Sequence, residues 1–259
     1  MKLIFIRHGD PDYKNNTLTK KGWNEALLLA KRVASWKPIT DVYLSPYGRA
    51  QDTAKPFLEQ IPCTATTLPW LQEFDYRIKD PRDGHKRICW DWLPRDFFAE
   101  RNFFNARRWF KTKAMKSGSI EQHYKSVCAG IDDVLAQYDY TRISSSVPIY
   151  NCLPHLNDEE AAQDTHLLAT QKNLDERNIV FVCHLGIMFA VIGYLTGISP
   201  VQLWQGFFVA PTSVTVLGAE ERIPGEVVFR VQMLGDARHL AEGGEPLSAS
   251  GFFGNVAAF

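Results

Sequence analysis

The run Met1-Lys2-Leu3-Ile4-Phe5-Ile6-Arg7-His8-Gly9 decides how the chain is read. Leu3 to Ile6 is apolar and mostly branched, which predicts a short strand buried on both faces. The strand stops at Arg7 and His8, so it delivers a cation and an imidazole to its carboxyl end. In open parallel sheets that end is where ligands sit, because the following loops diverge and leave a crevice. Gly9 lets the backbone turn sharply and come close to a bound group. An ordinary surface turn has the same three residues, so the meaning of Arg-His-Gly depends on what the rest of the chain brings to it.

Working outward, Thr19 caps a predicted helix of about sixteen residues in which Ala26, Leu27, Ala30, Val33 and Ala34 recur at helical spacing. Asp41 to Leu44 is a second strand. It runs into Ser45-Pro46-Tyr47-Gly48-Arg49, where Ser45-Pro46 predicts a helix start with Pro near its first turn. Arg49 therefore falls at the same sheet edge as Arg7 and His8. Thr64 to Leu68 is a third, outer strand, followed by Glu73 among apolar neighbours, a setting that raises a carboxyl pKa by desolvation. Asn178 to Cys183 is a fourth apolar strand ending at His184-Leu185-Gly186. The apolar helix Ile187 to Tyr194 follows, which repeats the arrangement of the first strand. Ile120 to Tyr138 is helical by period, and Thr212 to Leu217 and Val227 to Leu234 predict two antiparallel strands.

Two segments break this pattern. Between Tyr76 and Gly118 lie Trp90, Trp92, Phe97, Phe98, Phe103, Phe104, Trp109 and Phe110, interleaved with Arg and Lys. So long a stretch predicts helices of its own, with one over Arg95 to Lys116, and we expect it to cap the site with its cations toward an anionic substrate. Residues of about 140–157 form a second insertion, predicted as a strand or hairpin at Val147 to Tyr150. Asp158-Glu159-Glu160 then opens another helix with acids in its first turn.

At 259 residues, 45% hydrophobic and 22% charged, with no linker-like stretch, the chain reads as one domain over 1–259. Lys+Arg and Asp+Glu number 29 each, which gives no charge argument for nucleic acid or an anionic membrane as partner. No stretch reaches the roughly 18 apolar residues of a membrane span, and Met1-Lys2 leads straight into a strand, which predicts no leader. Cys63, Cys89, Cys128, Cys152 and Cys183 show no paired spacing, which fits reduced thiols and a cytoplasmic setting. Cys183 is expected to be a buried small hydrophobe.

The joint pattern resembles the histidine phosphatase superfamily, the phosphoglycerate mutase-like fold, in its larger branch of phosphatases and mutases. The matching pieces are Leu-Ile-Phe-Ile-Arg-His-Gly at 3–9, Leu-Thr-Lys-Lys-Gly at 18–22, Ser-Pro-x-Gly-Arg-Ala-x-x-Thr-Ala at 45–54, Leu-Gln-Glu at 71–73 and Val-Cys-His-Leu-Gly at 182–186. The resemblance implies an α/β, three-layer αβα sandwich with a mostly parallel central sheet, an antiparallel edge and a helical cap insertion.

It also implies a phosphomonoester hydrolase of the metal-independent histidine acid phosphatase type, with no cofactor, acting on a small phosphorylated substrate. His8 would become a phosphohistidine, since a neutral imidazole is a suitable attacker on a dianion once cations neutralise the phosphoryl oxygens. Arg7 and Arg49 would supply those cations, with His184, if protonated, a third donor, and Glu73 would protonate the leaving oxygen and then assist water. The Leu185 amide would hold the same phosphate. Mutases of the family carry a hydroxyl residue and an Asn where this chain has Pro11 and Lys14, so Lys14 or Asn15 would substitute, and a phosphatase is favoured over a phosphomutase. A catalytically silent phospho-ligand binding domain is the reading from another class. His85, His123, His155, His166 and His239 are expected to be structural or solvated.

Overall fold

The computed structural model describes residues 1–36, 38–153 and 175–257. Among them one sheet has eight strands: β1 (Lys2–Arg7), β2 (Asp41–Leu44), β3 (Ala65–Thr67), β4 (Thr141–Ser144), β5 (Val147–Asn151), β6 (Asn178–Cys183), β7 (Val214–Ile223) and β8 (Glu226–Asp236). Their order across the sheet is β3-β2-β6-β1-β7-β8-β5-β4. The first four run parallel, and β7, β8, β5 and β4 continue the sheet antiparallel. The antiparallel edge is thus wide, and the 140–153 part of the second insertion forms its outer hairpin.

The parallel strands are apolar on both faces because helices cover both. On one side Ile4, Ile6, Val42, Leu44, Val180 and Val182 share a core with Leu29, Ala30, Val33 of α1 (Lys20–Ala34) and Ala50, Ala54, Phe57 of α2 (Gly48–Leu58). On the other, Leu3, Phe5, Tyr43, Ile179 and Phe181 meet α3 (Ile120–Ala136), α4 (Leu185–Thr196) and α5 (Pro200–Gly206). Phe5 and Phe181 stack at 4.9 Å, with Tyr43 on Phe181 at 5.4 Å. Each such ring contributes about 2–3 kcal/mol by burial. Three layers result, as the resemblance implied.

Local signals explain the boundaries. Thr19 caps α1 by accepting from the Gly22 amide at 3.1 Å. Helix α2 starts at Gly48 and not at Ser45-Pro46, because the Ser45 amide donates to Val182 O at 3.0 Å and Tyr47 is extended, which keeps 45–47 in line with the sheet.

The single helix expected over Arg95 to Lys116 does not form. Short pieces take its place at Pro94–Ala99, Arg101–Phe104, Trp109–Lys111 and Lys113–Lys116. Phe97, Phe103, Trp109 and Met115 are all buried, and at six-residue spacing they would leave one straight helix in three directions. The chain breaks so that all four point inward. The breaks are held locally: the Glu100 carboxylate accepts from the Asn102 amide at 3.0 Å, Asn105 Oδ1 from the Arg107 amide at 2.9 Å, and Thr112 caps Met115.

The expected helix from Asp158, the end of the 140–157 insertion, His155 and His166 lie outside the described residues. No helix of the described residues is long and apolar enough to cross a membrane.

Candidate active site

Strand register builds the site. Arg7 pairs with Cys183 across β1 and β6, so the residues that follow, His8 and His184, emerge side by side. The His8 amide donates to Cys183 O at 2.9 Å, and the two imidazoles lie 5.0 Å apart, centroid to centroid. Next to β6, β2 delivers Ser45, whose hydroxyl meets His184 Nε2 at 2.6 Å. Tyr47 stands edge-on to His184 at 5.2 Å, and the Arg49 guanidinium lies 4.7 Å over the Tyr47 ring. The structure therefore brings His8, His184, Arg7 and Arg49 to one sheet edge, all buried.

His8 Nδ1 is 2.7 Å from the Gly9 carbonyl. A carbonyl only accepts, so Nδ1 carries the proton and Nε2 presents its lone pair. Burial, with Arg7 and Arg49 nearby, holds His8 well below its ordinary pKa, which favours the neutral ring. The turn is tight because it abuts α1: a Cβ on Gly9 would lie 2.9 Å from Gly22 O. Thr53 of α2 accepts from the Gly9 amide at 2.9 Å, and the buried Glu25 carboxylate accepts from the Asp10 amide at 2.7 Å.

Arg7 is braced from the C-terminal side. Its Nη1 donates to Val209 O and its Nη2 to Ser250 O, each at 2.7 Å, while Nε has no partner among the described residues. The Ser248 hydroxyl donates to Asp10, and Lys21 of α1 pairs with Glu245, so residues 245–250 lie along the site's rim.

Glu73 follows β3, as the sequence predicts, and its carboxyl reaches the start of α4. Oε1 accepts from the Phe74 amide at 2.7 Å and the Ile187 amide at 3.0 Å, and Oε2 from the Gly186 amide at 3.3 Å. Desolvation pushes its pKa up, against those amides and Arg49. The leading helix amide, that of Leu185, makes no hydrogen bond to the described residues. Burial, and then His8, Arg49 and Arg7, hold His184 well below its ordinary pKa.

Lys14 and Asn15 do not join the cluster. Both are exposed on the turn between the short strands Pro11–Asp12 and Thr17–Leu18, where Asp12 accepts from both backbone amides and from the Asn15 side chain. The neighbouring Asn16, with a left-handed backbone at φ 51°, instead accepts from Arg49 at 3.2 Å. Asn16, Ser45, Tyr47, Thr53 and Glu25 were missed by sequence reasoning. Ser45 and Thr53 lay inside a matching motif, but nothing local told which side chain would meet His184 or Gly9.

Segment 76–118 packs against α3, α4 and α5, with Trp109 on Trp204 at 5.4 Å. Arg82 and Arg87 pair with Asp80, Asp83 and Asp96 within the segment, so these two cations are not turned to a substrate as expected. Its residues at the site include Trp90, beside Glu73 and Gly186, and Cys89, next to Phe74.

The remaining histidines match expectation where described: His85 is exposed, His123 stacks on Tyr76 at 3.6 Å, and buried His239 meets Thr212 at 3.1 Å. Burial pushes the Cys183 thiol up.

The sequence profile of the histidine phosphatase superfamily (branch 1) matches residues 3–96. No curated protein matches the chain. Among solved structures, a mycobacterial glucosyl-3-phosphoglycerate phosphatase in complex with inorganic phosphate is similar, at 16% identity and TM-score 0.53, over 92% of this chain and 98% of that one. A phosphoserine phosphatase from Entamoeba histolytica superposes at 16% identity and TM-score 0.51, over 92% and 98%. The alpha-ribazole phosphatase from Shigella flexneri does so at 18% identity and TM-score 0.50, over 92% and 97%. Residues 3–96 thus match the histidine phosphatase superfamily, and the fold is shared with these phosphatases across nine-tenths of the chain.

Proposed function

We propose that the protein is a phosphomonoester hydrolase that acts through a phosphohistidine at His8 on a small phosphorylated metabolite. The observation that carries this reading is the 2.7 Å bond from His8 Nδ1 to Gly9 O, which aims a neutral Nε2 into a cluster of cations. Arg7 and Arg49 hold the phosphoryl oxygens, and the unbonded Leu185 amide offers a further donor at the start of α4. These contacts strengthen as charge shifts toward the oxygens in transfer, and so lower the barrier. A bound phosphate dianion also supplies the charge that favours a protonated His184.

In the first half-reaction Nε2 attacks phosphorus, the ester P–O bond breaks, and Glu73 gives its proton to the departing oxygen. In the second, Glu73 takes a proton from water as the water oxygen attacks phosphorus and the P–N bond breaks. Each role falls to a side chain, so no step calls for a metal ion. The fold neighbours that act on glucosyl-3-phosphoglycerate, phosphoserine and alpha-ribazole phosphates support a small phosphorylated substrate. Cysteines without paired spacing fit a reducing compartment such as the cytoplasm.

The test is release of inorganic phosphate from a broad panel of phosphomonoesters without added metal, beside His8→Ala and Glu73→Gln. Release by the parent that disappears in His8→Ala supports the reading, and the ranking names the substrate class. A parent that binds phosphate yet releases none from any member turns the assignment to a silent binding domain.

A further inference from the structure

Trp90 belongs to segment 76–118, yet its ring ends at the proton donor. Its Nε1 is buried and has no hydrogen-bond partner among the described residues. A Cβ on Gly186 would lie 2.6 Å from Glu73 Oε1 and 2.8 Å from Trp90 Nε1, so both atoms face one point above the first turn of α4. Neighbours fix the ring's place. Gln205 Nε2 donates to Trp90 O at 2.7 Å, Trp204 Nε1 donates to Gly186 O at 3.0 Å, and the Cys89 amide donates to Tyr76 O at 2.9 Å.

An indole N–H only donates, and leaving one buried and unpaired is unfavourable unless a partner appears. A carboxylate offers about four acceptor positions, and Glu73 uses three, two of Oε1 on the amides of Phe74 and Ile187 and one of Oε2 on that of Gly186, which leaves the fourth on Oε2 of the same carboxylate. The fourth becomes available when the acid loses its proton.

We propose that Trp90 is a positioning residue for proton transfer at Glu73, its Nε1–H being the donor that the carboxylate takes up once its proton has gone to the leaving oxygen. This rests on the phosphatase reading above. As the P–O bond breaks, its electron pair stays on the leaving oxygen, the Glu73 proton joins it, and the new anion is met by the indole. In the second half-reaction water returns a proton to Glu73 and releases the indole. The 76–118 segment thereby reaches the chemistry through the Trp90 ring.

Besides Trp90, the charged or titratable groups facing Glu73 are Arg49, Arg7, Tyr47, Cys89 and Cys183. Burial raises the phenol and both thiols and leaves them neutral, and the two imidazoles shift downward. The alkaline limb of the rate profile then carries Glu73 and the phosphate-paired His184, of which Glu73 is the one beside Trp90.

The experiment compares parent, Trp90→Phe and His8→Ala on glycerol 3-phosphate, whose alkoxide needs a proton to leave, and on p-nitrophenyl phosphate, whose phenolate leaves without one. Trp90→Phe is expected to lose about tenfold or more in kcat/KM on glycerol 3-phosphate and several times less on p-nitrophenyl phosphate. Its alkaline limb should move up by about half a pH unit or more, since a donor to the anion is lost. Inhibition by inorganic phosphate should stay within about twofold of the parent, the cation cluster being intact. Equal losses on both esters with an unmoved limb, parent-like kinetics on both, or lost phosphate inhibition would each overturn the assignment while leaving the phosphatase reading in place. A parent without activity, or activity that survives in His8→Ala, overturns both.

Discussion

Strands β1, β2 and β6 and the segment 76–118 both border α4, but they are held in opposite ways. The strands are continuous apolar runs, each paired to a neighbour in register, and their ends deliver functional groups. The segment has little regular structure and is anchored by single large rings, Phe97, Phe103 and Trp109, that point inward from separate turns. In the first region backbone pairing positions chemistry and side chains fill space. In the second, side-chain burial positions the backbone. Substitutions should therefore separate activity from stability differently in the two.

The largest stability effect is expected in the segment. Trp109→Ala removes a fully buried ring and should cost about 3–5 kcal/mol, read as a lower denaturant midpoint. If it costs less than about 1 kcal/mol, the segment is not anchored by its rings. At the strand edge Arg49→Ala should instead lower kcat/KM by about 100- to 1,000-fold, with the unfolding midpoint little changed, because its loss removes a phosphoryl contact. A large drop in stability with only a small one in rate would reverse the contrast.

A pH effect sharpens it further. Burial raises Glu25 to about 7, so the folded state keeps a proton that the unfolded chain releases near its ordinary value of 4.5. The sign follows: this group favours the folded state most at low pH, and the advantage is lost as pH rises from the unfolded to the folded value, by about 3 kcal/mol in all. Glu25→Gln should flatten the decline in Tm between about pH 5 and about pH 8, and an unchanged slope would show that Glu25 is charged in the fold. The smallest effect belongs to Phe98, which is 67% exposed on the segment. Phe98→Ser should change stability by less than about 0.5 kcal/mol.

The same contrast explains what the sequence made legible. Leu3–Ile6, Asp41–Leu44 and Asn178–Cys183 announce themselves by composition, and a residue just past the end of such a strand has its place set by register. His8, His184 and Arg49 could be found for that reason. Trp90, Asn16 and the broken path through Phe103 and Trp109 could not, because tertiary contacts between distant residues choose those conformations. The helix expected over 95–116 failed because Phe103, Phe104, Arg107, Arg108 and Lys111 fit one helical face locally, while the buried side chains recur every six residues and would point three ways. Asn16 was displaced from notice by its neighbour Asn15, and only its left-handed backbone shows which amide reaches Arg49.

The central claim is that His8 Nε2 takes the phosphoryl group. Rapid base-quench of the protein with radiolabelled p-nitrophenyl phosphate, followed by peptide mapping at alkaline pH, tests it most directly. The account predicts a base-stable, acid-labile label on the peptide containing His8, absent in His8→Ala and accumulating in Glu73→Gln, where water activation is impaired. A turning-over enzyme whose label falls on another residue, or that persists in His8→Ala, would contradict it.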